Sequence, residues 1–173
     1  MQAWKRMACS LAVVAATLLP AGAALAAAQT AKAALPRAIT AAQAWQSDAV
    51  LVGLSSISVR SNGRAFEWKY SFYSPGTKKR CVVTAHEAEV SAEEVASGSE
   101  MRPLRSFIDS DAAMREAKKN GLKGYSPTMA IRRHGSGASS ATYWVVNGGL
   151  EKGDVSVFLE AATGKFYTTA EIQ

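Results

Sequence analysis

Cysteine and histidine are scarce in this chain of 173 residues, which contains two of each. Two cysteines cannot supply the dense disulfide framework of a small secreted scaffold. A zinc site needs three or four convergent ligands, and the two histidines, His86 and His134, lie far apart in the sequence. Phosphate-binding glycine loops, catalytic Ser-His-Asp sets and spaced acid pairs are also missing. The sequence therefore predicts no catalytic residue, no cofactor and no metal ion.

The hydrophobic fraction of 48% overstates the size of the core, because 11 of the first 28 residues are alanine. Lys5 and Arg6 precede the apolar segment 7–19, and Pro20 follows it. A small-residue cleavage site, Ala24-Leu-Ala26, comes next. This order is typical of a cleaved signal peptide. Residues 1–26 are therefore predicted to be removed, and the remainder to be periplasmic or secreted.

Two alternatives remain open for this segment. Ala26-Ala-Ala28 is an equally acceptable cleavage site. An uncleaved membrane anchor would also be apolar, but Pro20 interrupts the stretch and no basic stop-transfer flank follows it.

Removal of residues 1–26 takes away two basic residues and no acidic one, which lowers the net charge from +6 to +4. Cys81 is then the remaining cysteine, and a single cysteine cannot form an internal disulfide. A positive net charge is compatible with nucleic acid as a partner, but the predicted export of the protein argues against it. The charge also suits an anionic envelope surface.

Residues 27–38 are small and end in Leu35-Pro36, which favours a linker. Thr40-Ala-Ala-Gln43 then has the spacing of a capping box, a hydroxyl followed three residues later by Gln. Apolar residues continue at spacings of three and four from Ala44 to Val52. The pattern predicts a first helix that begins at Thr40 and extends through Val52.

A strand follows the Asn62-Gly63 turn. Large aromatic residues alternate with polar ones along it, so that the aromatic side chains share one face: Phe66, Trp68, Tyr70 and Phe72. Residues 78–88 are predicted to form its antiparallel partner. The stretch from Ser91 to Pro103 is interpreted as a loop with at most one turn of helix.

The same order recurs in the second half. Asp109-Ser110 is predicted to cap a helix from Asp111 to Asn120, which ends at Gly121. Four strands are predicted after it, with turns at His134-Gly-Ser-Gly, Asn147-Gly-Gly149 and Ala162-Thr-Gly-Lys165: residues 128–133, 141–147, 154–160 and 166–169.

A shift of 76 residues places Trp68 on Trp144 and Cys81 on Val157. This self-similarity predicts an internal repeat. The expected fold class is α+β, with two tandem helix-plus-antiparallel-sheet repeats in two layers after the signal peptide. The predicted domains are a signal peptide at 1–26, a linker at 27–38, a first repeat at 39–102 and a second repeat at 103–173.

The second half ends in Glu160-Ala-Ala-Thr-Gly-Lys165, after a strand with a central Trp144. Together with the capped helices, this turn resembles the PepSY and PepSY-like domains of exported bacterial proteins, whose strands end in Asp-Ala-x-Thr-Gly-Lys. Here Glu160 replaces the first acid, and the first half has His86-Glu-Ala-Glu89 instead of the turn. The resemblance implies a non-enzymatic module that binds a protein or peptide in the envelope, with inhibition of a peptidase as the family's usual suggestion.

Candidate contact residues are basic clusters and outward-facing tyrosines. Tyr73 and Tyr143 are expected on the face opposite the buried aromatic row. The basic clusters are interpreted as solvated protein surface. Contact with an anionic lipid, a polysaccharide or an acidic partner is the alternative. The predicted partner contacts are Tyr73, Lys78, Lys79, Arg80, Arg132, Arg133 and Tyr143.

An enzymatic alternative would need Cys81 to meet His86 or His134 together with an acid. Cys81 and His86 are an odd number of residues apart on one predicted strand, so they should point to opposite faces. His134 could approach Cys81 only through tertiary folding. The sequence therefore favours a packed cysteine over a catalytic one.

Overall fold

The computed structural model of the chain describes residues 27–96, 101–124, 127–134, 141–149 and 153–171. The predicted signal peptide and most of the predicted turn after His134 lie outside these residues. Within them the chain forms two helices and eight strands. The helices are α1, Ala31–Trp45, and α2, Ser110–Lys119. Neither is long and apolar enough to cross a membrane.

The strands pair into one antiparallel sheet, in the order β4-β3-β2-β1-β5-β6-β7-β8. Four of them follow α1: β1 (Val50–Ser56), β2 (Glu67–Ser74), β3 (Lys79–His86) and β4 (Glu89–Val95). Four follow α2: β5 (Thr128–His134), β6 (Ala141–Asn147), β7 (Val155–Glu160) and β8 (Phe166–Glu171).

The expected fold of two tandem helix-plus-sheet repeats is wrong, because the described strands belong to a single continuous sheet. The junction is the pairing of β1 with β5, in which Leu54 lies opposite Ile131 and Ser56 opposite Met129. The local sequence pattern contains no sign of this junction, because Leu51 and Val52 continue the helical spacing and are predicted to belong to the first helix. In the structure they lie in β1, which pairs with β2 on one side and with β5 on the other.

The first helix begins nine residues before the predicted capping box. Thr30 is the N-cap, and its hydroxyl accepts a hydrogen bond from the N–H of Ala33. Thr40 lies inside the helix, where its hydroxyl donates to the carbonyl of Pro36. Most of the predicted linker is therefore helix. Its small residues form a buried stripe at spacings of three and four, and alanine is the residue with the highest helix propensity: Ala31, Ala34, Ala38 and Ala42.

The predicted loop after Ser91 is also wrong in its first part, because β4 extends through Val95. The strand β4 contains three glutamates: Glu89, Glu93 and Glu94. They are tolerated because β4 is an edge strand with a solvated outer side, where charged residues also discourage pairing with other chains.

The predicted aromatic face is confirmed for Trp68, Tyr70 and Phe72, whose exposed fractions are 1% or less. Phe66 lies just before β2 and remains 38% exposed, with the Arg60 guanidinium above its ring. The second helix, its Asp109 cap and the strands of the second half agree with the predicted bounds to within one or two residues.

Trp68 and Trp144 meet edge to face at the centre of the core, with ring centroids 6.4 Å apart. Each indole N–H donates to a carbonyl just before a helix. Trp68 donates to Gln29 at 2.9 Å, and Trp144 donates to Ile108 at 3.0 Å. Both tryptophans therefore fix the start of a helix as well as filling the core.

The two helix starts are joined directly. The Ser110 hydroxyl accepts from the N–H of Ala31 at 2.9 Å, and the Asp109 carboxylate accepts from the N–H of Lys32 at 2.9 Å. The predicted turn at Gly63 packs against this junction with a φ of 79°. A Cβ at that position would collide with the Ser110 carbonyl. The start of α2 thus supplies acceptors that α1 needs at its own first turn.

Replacement Ser110→Ala should lower the free energy of unfolding by about 1–3 kcal/mol, because it leaves the buried N–H of Ala31 without an acceptor. Urea unfolding followed by tryptophan fluorescence measures this. Ser47→Ala, at an exposed turn position after α1, is the matched control and should change little. Equal stability of both variants would contradict the proposed role of the junction.

Asp48 organises the hairpin between β2 and β3. Its carboxylate accepts from the Ser74 hydroxyl at 2.6 Å and from the N–H of Gly76 at 2.7 Å. These two hydrogen bonds hold the pKa of Asp48 below its ordinary value. The native state therefore favours the charged carboxylate more than the unfolded chain does.

Replacement Asp48→Asn should lower the melting temperature at neutral pH. A depressed native pKa contributes stability that is complete above the unfolded-state pKa and is lost as the pH falls through the native pKa. The difference between the wild type and the variant should therefore shrink in acid. Thermal unfolding over a pH series tests this, with Glu89→Gln on the edge strand as the control. A difference that stays constant down to acid pH would contradict it.

Candidate binding groove on the uncovered sheet face

Both helices pack on one face of the sheet. Helix α1 lies on β2, β3 and β4, and α2 lies on β6 and β7. Side chains on this face are almost completely buried, as Val83 and Val157 are. The residues that alternate with them along the strands, such as Val82 and Val145, point to the opposite face and remain partly exposed to solvent. We call this opposite face the uncovered face.

A groove of about 670 Å³ runs over the second half of the uncovered face. Its floor is a row of three side chains in register across β5, β6 and β7. Ala130 lies opposite Val145, which lies opposite Phe158. Each of the three is only partly buried. Ser55 on β1 lies opposite Ala130 and continues the row.

One end of the groove is cationic and aromatic. Arg132 lies directly opposite Tyr143, and Arg133 and His134 complete the end of β5. The Tyr143 ring packs on Tyr167 of β8, with centroids 4.8 Å apart. Among the described residues, Arg132 and His134 make no side-chain hydrogen bond or ion pair. Their polar groups are therefore available to a bound molecule.

The described lining of the groove contains no carboxylate. The acid next to it in the sheet is Glu160, opposite Tyr143 on β7. Its carboxylate accepts from the Thr163 hydroxyl at 2.7 Å. The Glu160 carboxylate is thus held by the turn that follows β7. The described lining of the groove carries only neutral and cationic side chains.

The other end of the groove is polar and neutral. Asn147 donates from its amide nitrogen to the Thr128 hydroxyl at 2.9 Å. Ser156 lies opposite Asn147 on the next strand, and the side chain of Ile57 stands at the margin with 76% of its surface exposed. The groove therefore offers an apolar floor, a cationic end and a neutral hydrogen-bonding end. This division is typical of sites in which apolar area gives affinity and a few polar groups give orientation.

The structure brings together three of the predicted contact residues. Arg132, Arg133 and Tyr143 line the groove. Tyr73 is on the uncovered face as predicted, but it is 3% exposed and cannot offer its ring to a partner in this structure.

The three remaining predicted contacts lie at the β2–β3 hairpin and along β3. Lys78 is exposed in the turn, with a φ of 58°. Lys79 forms an ion pair with Glu94 at 2.7 Å, and this pairing and a hydrogen bond from Trp45 lower the pKa of Glu94. Arg80 is half-buried, and its Nε has no hydrogen-bond partner among the described residues.

Cys81 lies on the covered face beneath α1 with no exposed surface. Burial raises the pKa of its thiol, which opposes formation of the reactive thiolate. His86 is exposed on the same strand, and its side chain points to the opposite face, as predicted. The structure therefore does not bring Cys81 and His86 together.

The groove residues that the sequence did not single out are Val145, Phe158 and Asn147. Their outward positions follow from the alternation along β6 and β7. That alternation is hard to detect in the sequence, because β6 and β7 carry apolar residues on both faces. His134, which is predicted to begin a turn, is the last residue of β5 and lines the groove.

These features define an α+β protein with one face of an antiparallel sheet covered by helices and a groove on the other. No protein-family model matches the chain, and no curated protein matches it. The fold is similar to the crystal structure of a "putative lipoprotein" from Clostridium difficile 630, with a TM-score of 0.54. The sequences are 14% identical, and the match covers 79% of this chain and 91% of that chain. At this identity the likeness concerns the fold alone, and the PepSY resemblance stays a prediction.

The burial of Cys81 predicts a slow reaction with a thiol reagent. In protein carrying Cys9→Ser, we expect Cys81 to react with a disulfide reagent such as DTNB at least about a hundredfold more slowly than in denaturant, because the thiol must be uncovered first. Absorbance at neutral pH measures the rate. Rapid labelling of the native protein would contradict the buried position.

Proposed function

We propose that this chain is an exported binding module of the bacterial envelope, which holds a segment of a partner protein or a peptide in the groove. The observation that carries the proposal is the row of Ala130, Val145 and Phe158, a partly exposed apolar floor on the sheet face opposite the two helices. A soluble protein gains stability by covering such a surface, and exposed apolar patches in a concave setting mark interaction sites.

The charge of the groove indicates the chemistry of the bound segment. Arg132 lies at one end, and no described carboxylate lines the cavity. A bound segment would therefore place an apolar side chain on the floor and an acidic group at the arginine end. Arg132 and Tyr143 lie side by side there, so a carboxylate could accept from both the guanidinium and the phenol.

Export and location are supported by two observations. The N-terminal 26 residues have the order of a signal peptide. The solved structure with a similar fold is described as a lipoprotein candidate, which agrees with an envelope protein. The finer proposal, restraint of a peptidase or another envelope protein, is supported only by the resemblance of the Glu160–Lys165 turn to PepSY-like domains.

A substitution in the groove floor tests the binding role. Short peptides selected from a displayed random library on the wild-type protein should bind Val145→Glu at least about tenfold more weakly, a loss of about 1.4 kcal/mol. The new carboxylate would have to be desolvated on the floor, and it would repel an acidic ligand. Fluorescence anisotropy with the selected peptides measures this.

Val82→Glu is the matched control. It makes the same change on the same sheet face, but on β3 and outside the groove. Peptides that lose affinity equally for both variants would contradict binding in the groove. So would a library that yields no sequence enriched for the wild type over Val145→Glu.

A second candidate function is attachment to anionic lipid or polysaccharide. It is favoured by basic side chains that form no ion pair among the described residues, including Lys78, Arg132 and Lys165. Attachment of this kind weakens steeply with salt. Co-sedimentation with phosphatidylglycerol vesicles that does not change with salt, or is absent, would contradict it.

A further inference from the structure

A second hollow, of about 510 Å³, lies beside the end of β5 and is lined by three arginines. Arg102 and Arg105 come from the segment that leads to α2, and Arg133 comes from β5. The hydroxyl-bearing residues Ser106 and Thr142 also line it. No described acidic residue does. We call this cavity the arginine hollow.

The walls of the arginine hollow are anchored to the sheet. The N–H of Leu104 donates to the carbonyl of Leu51 at 2.7 Å, and the N–H of Ile108 donates to the carbonyl of Ala161 at 2.8 Å. These bonds hold the chain on both sides of Arg105. The Arg133 guanidinium donates to the carbonyl of Arg102 at 3.2 Å, which fixes its position at the wall. The backbone of the hollow and the Arg133 guanidinium are therefore held in place before a ligand binds, which lowers the cost of ordering them.

Arg105 and Arg133 both line the hollow, and no acidic residue stands among its described lining residues. A bound anion would neutralise their positive charge. A single arginine neutralises the charge of one carboxylate. A phosphate group carries up to two negative charges and several acceptor oxygens, so it can bind two or more guanidinium groups. Arg105 and Arg133 are the two guanidinium groups that would serve this purpose.

We propose that the arginine hollow binds the phosphate group of a phosphate-bearing ligand. Arg105 and Arg133 would donate to the phosphate oxygens, and the Ser106 and Thr142 hydroxyls would donate further hydrogen bonds. The proposal goes beyond the binding of a peptide on the uncovered face and does not depend on it. Arg133 lines both cavities, so it stands at the wall between the two sites.

Titration of the mature protein with inorganic phosphate and with phenyl phosphate tests the site, with the backbone amide signals of Ser106, Thr142 and Ala162 as reporters. We expect saturable shifts of these three signals in the wild type. Arg105→Gln and Arg133→Gln should each weaken binding by about tenfold or more, because each removes a charged hydrogen-bond donor. Thermal unfolding of each variant shows that it is folded.

Lys118→Gln is the control for net charge, because it removes the same charge from the exposed end of α2. It should leave phosphate affinity within about twofold of the wild type, as expected for a charge far outside the site. An equal loss in Lys118→Gln would show general charge attraction and overturn the proposal. Loss in Arg132→Gln instead of Arg133→Gln would place the anion in the groove and also overturn it.

Vesicles distinguish a lipid headgroup from a free phosphate. Phosphatidylcholine vesicles with and without phosphatidic acid are co-sedimented with the wild type, Arg133→Gln and Lys118→Gln. Binding that needs phosphatidic acid and Arg133 but not Lys118 supports a lipid phosphate in the hollow. Saturable binding of the soluble phosphates alone supports a free ligand. Absence of binding in both arms would overturn the proposal.

Discussion

The contact between Trp68 and Trp144 is the constraint on which the rest of the structure depends. The two rings belong to different halves of the chain and meet edge to face over the junction of β1 and β5. Their indole N–H groups hold the carbonyls of Gln29 and Ile108, the residues just before the two helices. Edge-to-face aromatic pairs contribute about 0.5–1.5 kcal/mol beyond the burial of their surface. The hydrogen bonds also position the helices, because they bring the first residues of α1 and α2 together on one face of the sheet.

This convergence places the groove. Once α1 and α2 begin side by side, with Ser110 and Asp109 accepting from the first turn of α1, both helices must cover one face of the sheet. Neither of these two helices covers the opposite face. On β2–β4 it carries charged side chains such as Glu67 and Lys69, which need no cover. On β5–β7 it carries Val145 and Phe158, which do. Both halves share one sheet and one core. The side chains on the uncovered face are therefore what places the proposed binding site in the second half.

Local patterns in the sequence predicted local structure well. The alternation from Trp68 to Phe72, the Asp109 cap and the odd separation of Cys81 and His86 all correspond to what the structure contains. The failures concern features in which one local signal was ambiguous or misleading. The alanine stripe of α1 was mistaken for a linker because it contains Pro36, and β4 was missed because an edge strand tolerates glutamates. The single sheet could not be predicted, because the β1–β5 pairing is a long-range contact between short apolar segments. The groove also depends on the pairing of β1 with β5. Among its described lining residues, the sequence predicts Arg132, Arg133 and Tyr143 as contact residues.

One core, shared by both halves and centred on the tryptophan pair, determines which face of the sheet the helices cover. A double-mutant cycle with Trp68→Phe, Trp144→Phe and the combined variant tests this most directly, with the free energy of unfolding measured in urea. Each single substitution removes one indole N–H and replaces one of the two paired rings with a smaller one. We expect the two losses not to be additive, with a coupling energy of at least about 0.5 kcal/mol, and every variant to unfold in a single transition. Additive losses together with two separate transitions would show two independent halves and would contradict it.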